Sequence, residues 1–181
     1  MSRRFYIRAT VAAASAFALS FAAIVVTDPL PRIVWNTSAS APIGLYRIQP
    51  DRDPPLGTLV AVAPPQRLGR WMAVRGYLGE NVPLLKHVAA KAGQRVCRLG
   101  GTVTVDGQAV TLALTHDRLA RPLPVWRGCR TLGADELLLL NPAHPDSLDG
   151  RYFGPLPTAT VLGRAIPILT RKTPDAPLIW R

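Results

Sequence analysis

Residues 84–110 read LLKHVAAKAGQRVCRLGGTVTVDGQAV. Short runs rich in Val, Leu and Thr are set apart there by Gly93 and by Gly100-Gly101, and apolar runs of this length between glycines read as strands rather than helices. Asp106-Gly107 interrupts the last run between TV and QAV. That dipeptide accepts the positive φ angles of a two-residue type I′ turn, so VTVDGQAV is expected to fold back on itself as a hairpin.

Outward from this stretch the same grammar continues. Strands are expected at 44–48, 58–63, 86–90, 94–98, 102–105, 136–140 and 160–169, with no internal repeat and no second long apolar run after residue 31. Residues 66–78 (QRLGRWMAVRGYL) space Leu68, Met72, Arg75 and Leu78 at helical intervals, which predicts one short helix weakened by Gly69 and Gly76. Residues 118–129, rich in Pro and Arg, are expected to loop over the surface. The fold class that follows is mainly β, one antiparallel domain over residues 31–181.

The beginning of the chain has another character. Residues 9–26, ATVAAASAFALSFAAIVV, carry no charge, and with Tyr6 and Ile7 they are long enough for one transmembrane helix. Arg3, Arg4 and Arg8 precede the run and Asp28-Pro29 follows it, so the positive-inside rule keeps the N-terminus cytoplasmic and exports the rest. Residues 1–30 are thus expected to be an inner-membrane anchor with a periplasmic domain behind it. A cleaved secretory signal shares the basic start and apolar run and would export the same domain.

With 48% hydrophobic and 18% charged residues over 181 positions, the composition is that of a folding chain, not a disordered one. The net charge of +11 raises the question of nucleic acid. Its basic residues are scattered and fall in no recognisable nucleic-acid motif, so no nucleic-acid partner is expected, and anionic lipid headgroups explain the charge of an anchored domain. Cys97 and Cys129 are too few for a structural zinc site and too far apart for a CxxC motif. They read as one disulfide, which suits an oxidising compartment, with two unpaired core thiols as the other reading. His87, His116 and His144 show no metal-ligand spacing, and no metal or other cofactor is expected.

Three segments carry chemistry. The first is Asn36-Thr37-Ser38-Ala39-Ser40-Ala41-Pro42-Ile43-Gly44-Leu45-Tyr46, the second runs from Leu84 through Lys86 to Val96, and the third is Asn141-Pro142-Ala143-His144-Pro145-Asp146-Ser147-Leu148-Asp149-Gly150-Arg151-Tyr152-Phe153-Gly154-Pro155. Taken singly they read as a polar turn, an edge-strand lysine and a Pro/Asp-rich turn. Together, in this order and behind a basic-flanked apolar run, they resemble the signal peptidase I clan. The Ser-x-Pro-x-Gly-Leu-Tyr form of the first resembles the conjugative-transfer branch known as the TraF type.

The resemblance implies coiled antiparallel β-sheets and a serine protease working with a Ser/Lys pair. Ser40 matches the nucleophile, Lys86 the general base and Asp149 a carboxylate that supports the site. Ser38 matches a hydroxyl that helps hold the oxyanion, Ser147 one that orients the lysine, and Arg151 is expected to pair with Asp149. A lysine can serve as a base only where burial makes its ammonium costly, and Leu84, Leu85 and Val88 are the apolar neighbours for that. His87 would point to the opposite face of a strand.

Two departures stand out: Gly150 replaces the usual serine, and Asn141-Pro142-Ala143 replaces Gly-Asp-Asn. The implied substrate is an exported pilin-like subunit or other preprotein, with conjugation components as partners. A non-catalytic envelope scaffold on the same fold is the reading from another class.

Overall fold

The computed structural model describes residues 2–27 and 31–181. It divides into two compact units, Met1–Pro31 and Arg32–Arg181, one residue beyond the boundary expected from composition. Asp28 and Pro29, on which the acidic flank of the anchor was to rest, lie outside the described residues.

In the first unit, α1 (Arg3–Thr27) is a helix of 25 residues whose most apolar window has a mean hydropathy of 2.1. At 1.5 Å per residue it extends about 37 Å, enough to cross a hydrocarbon core. Its polar side chains near the far end turn inward: Ser20 Oγ donates to the Ala16 carbonyl and Thr27 Oγ1 to that of Ala23, the back-bonding that satisfies a hydroxyl without water.

The second unit is mainly β. Its elements are β1 (Ile33–Asn36), β2 (Ile43–Gln49), β3 (Leu59–Val62), α2 (Gln66–Val74), β4 (Leu84–Ala90), β5 (Arg95–Leu99), β6 (Thr102–Val105), β7 (Gln108–Leu112), β8 (Gly128–Thr131), β9 (Glu136–Leu140), α3 (Gly150–Phe153), β10 (Leu156–Pro157), β11 (Val161–Arg171) and β12 (Ile179–Trp180). One sheet runs β1-β2-β11-β3-β4-β9-β10 with β12 on the end of β11, and a smaller one runs β7-β6-β5-β8. All the pairings are antiparallel.

The helix α2 stops four residues short of expectation, because Gly76 takes a φ of +70° and the Gly76 N–H bonds back to the Ala73 carbonyl. The expected loop over 118–129 ends in a strand instead. Its last residues enter β8, where Cys129 lies directly opposite Cys97 of β5 and the two are joined.

β9 explains how two sheets share one interior. Its ELLLL run is apolar on both faces: Leu138 and Leu140 pack with Val96, Val103 and Val105 of the smaller sheet, while Leu137 and Leu139 pack with Val60, Val62 and Val88 of the larger one. A strand covered on both sides reads as a continuous apolar run rather than an alternation. A third cluster, Val34, Ala41, Tyr46, Ile48, Ala61, Leu85 and Ala165, lies under the start of β2 and β4. Close approach of β11 to β2 needs Gly44, where a Cβ would sit 2.1 Å from the Leu169 carbonyl oxygen. That glycine fixes the strand that follows the Ser40 turn.

Candidate active site

The turn between β1 and β2 carries Ser38 and Ser40, and one buried side chain shapes it. Asn36 Nδ2 faces the carbonyls of Ser38, Ala41 and Pro42 at 2.8, 3.1 and 3.0 Å, and its Oδ1 accepts the Ser38 N–H at 3.0 Å. Tyr46 adds a second pin from β2, its hydroxyl donating to the Pro42 carbonyl at 2.6 Å. Burial pushes this phenol up to about 12, against a smaller opposing pull from Arg181. Ser38 Oγ lies 3.1 Å from Ser40 Oγ and accepts the Ser40 N–H at 3.3 Å.

β4 brings Lys86 to that turn. Val60 of β3 stands opposite Lys86, and only 4% of the lysine is exposed. Its Nζ lies 3.3 Å from Ser40 Oγ and 2.8 Å from Ser147 Oγ. Burial disfavours the ammonium and is the main reason its pKa falls from 10.5 to about 8; the Asp149 carboxylate pulls the other way, and Arg151 adds to the lowering. Three sequence positions separated by 46 and 61 residues thus converge on one nitrogen.

Asp149 is in the same buried cluster but bonds elsewhere. Oδ1 accepts from the Arg151 N–H and Nε, and Oδ2 from the Asn141 N–H and Arg151 Nη2, all at 2.8–3.1 Å. It bonds to none of Ser40, Lys86 or Ser147, and reaches Lys86 through its charge alone. Arg151 pairs with Asp149 as expected, and it also donates to the carbonyls of Asn141, His144 and Pro145. This knits residues 141–151 into one unit that presents Ser147.

A cleft of about 470 Å³ opens over this group. Ser38, Ser40, Lys86 and Ser147 line it, with Met72 and Leu123 among its apolar walls. The far rim is held by Asp117, which accepts from the Tyr77 hydroxyl and from Arg121 Nε at 2.7 Å, while Arg121 Nη1 donates to the Arg75 carbonyl at 2.9 Å. The sequence showed no sign of that rim, since Tyr77 and Arg75 lie 40 and 46 positions from their partners Asp117 and Arg121. Asn36 and Asn141 each open an expected site segment, but the sequence assigned neither a role. His87 faces away from Ser40 and bonds Asn141, in keeping with strand alternation.

Residues 3–170 match signal peptidase, peptidase S26, and the chain belongs to that family. The relatives it resembles include the probable conjugal transfer protein TraF of Sinorhizobium fredii, 40% identical over 146 residues, 75% of this chain and 76% of that one. The conjugal transfer protein TraF of Agrobacterium fabrum is 35% identical over 148 residues (75% and 81%), and a plasmid transfer protein TraF of Escherichia coli 32% over 146 (75% and 81%). Among solved structures, a signal peptidase I from Enterococcus faecalis aligns over 62% of this chain and 96% of its own, at 18% identity and a TM-score of 0.37.

Proposed function

We propose that the chain is a membrane-tethered serine endopeptidase that processes an exported pilin-like subunit or other preprotein for conjugative transfer. The observation that carries this is the buried Lys86 Nζ between Ser40 Oγ and Ser147 Oγ. A serine hydroxyl needs a base, and a desolvated lysine with a pKa near 8 is neutral for much of the time in mildly alkaline conditions. Neutral Nζ accepts the Ser40 proton while donating an N–H to Ser147 Oγ. Ser40 Oγ then attacks the scissile carbonyl, Lys86 passes the proton to the leaving amine, and water cleaves the acyl-enzyme with Lys86 again taking its proton.

The Ser40 N–H and the Ser38 hydroxyl are the donors within reach of the oxyanion. In the resting turn the Ser40 N–H donates to Ser38 Oγ, which is itself within hydrogen-bond distance of Ser40 Oγ, so substrate must draw both donors toward its carbonyl oxygen. Asp149 acts as a positioning residue, through Arg151 and the 141–151 segment. β1, paired only with β2 among the described residues, ends at the cleft and offers an open edge to an extended substrate.

The apolar run of α1 and the arginines at its start, Arg3, Arg4 and Arg8, support an inner-membrane anchor with the N-terminus cytoplasmic and the cleft periplasmic. The conjugation assignment rests on the TraF relatives. Two experiments test the reading. A serine-acylating probe should label Ser40 in the purified chain and fail on Ser40→Ala and Lys86→Ala; an unlabelled wild-type chain would favour the scaffold reading. In cells, the pilin-like subunit should keep its precursor mass with Ser40→Ala, and conjugation should stop. A mature mass lower by one water would mean that its ends are joined.

A further inference from the structure

Asn141 opens the segment that carries Ser147, directly after β9. It is 1% exposed and every polar group on it is used. Its N–H donates to Asp149 Oδ2 at 2.9 Å and its carbonyl accepts Arg151 Nη2 at 2.9 Å. Its side chain reaches the other way, to β4: Nδ2 donates to the Leu85 carbonyl at 2.9 Å, and Oδ1 lies 2.9 Å from His87 Nδ1. Because Nδ2 must face the Leu85 oxygen, Oδ1 is an acceptor and His87 Nδ1 carries the proton.

The two partners on β4 flank Lys86, and the register explains why a side chain is needed there. The β4–β9 register ends at His87 opposite Leu140, and the chain turns away after it, so the next backbone donor the ladder would offer the Leu85 carbonyl is that of residue 142, a proline. Proline has no N–H to give the Leu85 carbonyl, and an unpartnered carbonyl inside a core is costly. The Asn141 amide fills the place of the missing backbone donor.

We infer that Asn141 is a positioning residue of the Ser40–Lys86 pair, clamping β4 on both sides of Lys86 to the segment that carries Ser147. The inference rests on the protease reading for its kinetic arm only. Both bonds of Nζ depend on β4 and residues 141–151 keeping their spacing, and this one residue bridges them. Loosening it would admit water around Nζ, and burial is what holds that amine low, with Asp149 and Arg151 as the charges that face it.

The test uses the chain with its anchor, in detergent, in three forms: wild type, Asn141→Ala, and Asn141→Ala combined with Pro142→Ala, which restores a backbone N–H at position 142 for the Leu85 carbonyl. The chain has three lysines, Lys86, Lys91 and Lys172, so NMR of 13Cε-labelled lysine resolves the Lys86 titration, and peptide cleavage gives kcat and KM. In Asn141→Ala the Lys86 midpoint should rise by about one unit, and kcat should drop about 10- to 100-fold with KM within about threefold. The double variant should recover both. A folded single variant with a wild-type midpoint overturns the inference, as does a double variant no better than the single one. If the single variant does not fold, the double one decides: a wild-type midpoint supports the clamp and any other result removes it. Should wild type show the lysine titration and no turnover, the protease reading fails and the NMR arm still judges Asn141.

Discussion

Arg151 and Asp149 form an ion pair closed to solvent on both sides, with Nε on Oδ1 at 2.9 Å, Nη2 on Oδ2 at 2.8 Å and no accessible surface on either side chain. Removing one partner of such a pair strands the other charge in the core, which costs about 3–5 kcal/mol. Arg151→Ala and Asp149→Ala should therefore lower the urea midpoint steeply and cut cleavage with it. Asp146→Ala should do little, since its partner Arg118 and the carboxylate itself lie in water. Equal effects at positions 146 and 149 would contradict this.

The Lys86 amine sets two pH dependences. Cleavage needs it neutral, so kcat/KM should climb through a midpoint near pH 8 and level off above it. For stability the sign follows from proton counting: between about 8 and 10.5 the unfolded chain holds a proton on this lysine that the folded chain has lost, so stability rises with pH across that window. The full span corresponds to about 3 kcal/mol. Lys86→Met removes it, so denaturation curves should show the variant more stable than wild type below pH 8, with the gap shrinking toward pH 10.5. A gap independent of pH would rule out a buried amine.

Ser38→Ala leaves Ser40 and Lys86 in place and removes one donor for the oxyanion. Its kcat should fall about 10²–10³-fold, with Ser40 still open to the acylating probe. If Ser40→Ala stayed active and Ser38→Ala did not, the two roles would be exchanged.

At Gly150 there is no room for the serine that the family resemblance implies. A Cβ would lie 2.7 Å from Leu138 Cδ1 and 2.9 Å from the Leu139 carbonyl oxygen, and the backbone atom cannot step aside. Gly150→Ser should cost about 1–3 kcal/mol, as overpacking does. A variant as stable as wild type in urea would show that β9 and α3 can separate.

How much of this could be read from residues alone depends on how local the cause is. Glycine-bounded apolar runs marked most strands, and the Asp106-Gly107 turn lies between β6 and β7. β8 escaped because its four residues follow a Pro/Arg-rich stretch and owe their pairing to β5, some 30 positions away. Ser40, Lys86 and Ser147 were findable only as a family pattern, since no spacing rule brings residues 46 and 61 positions apart to one nitrogen. Asn141 is legible only once the fold sets its amide against the Leu85 carbonyl, and Asn36 once the turn it fills has a shape.

The link between Cys97 and Cys129 has a use of its own. It joins facing residues of β5 and β8, and no free cysteine remains among the described residues. Cytosolic reductants keep such pairs open, whereas an exported domain keeps them closed. The chain therefore carries a native reporter of its own topology: the ratio of blocked to alkylatable thiols in intact cells reads out which side of the bilayer the domain occupies, with no fusion tag and no change to the sequence.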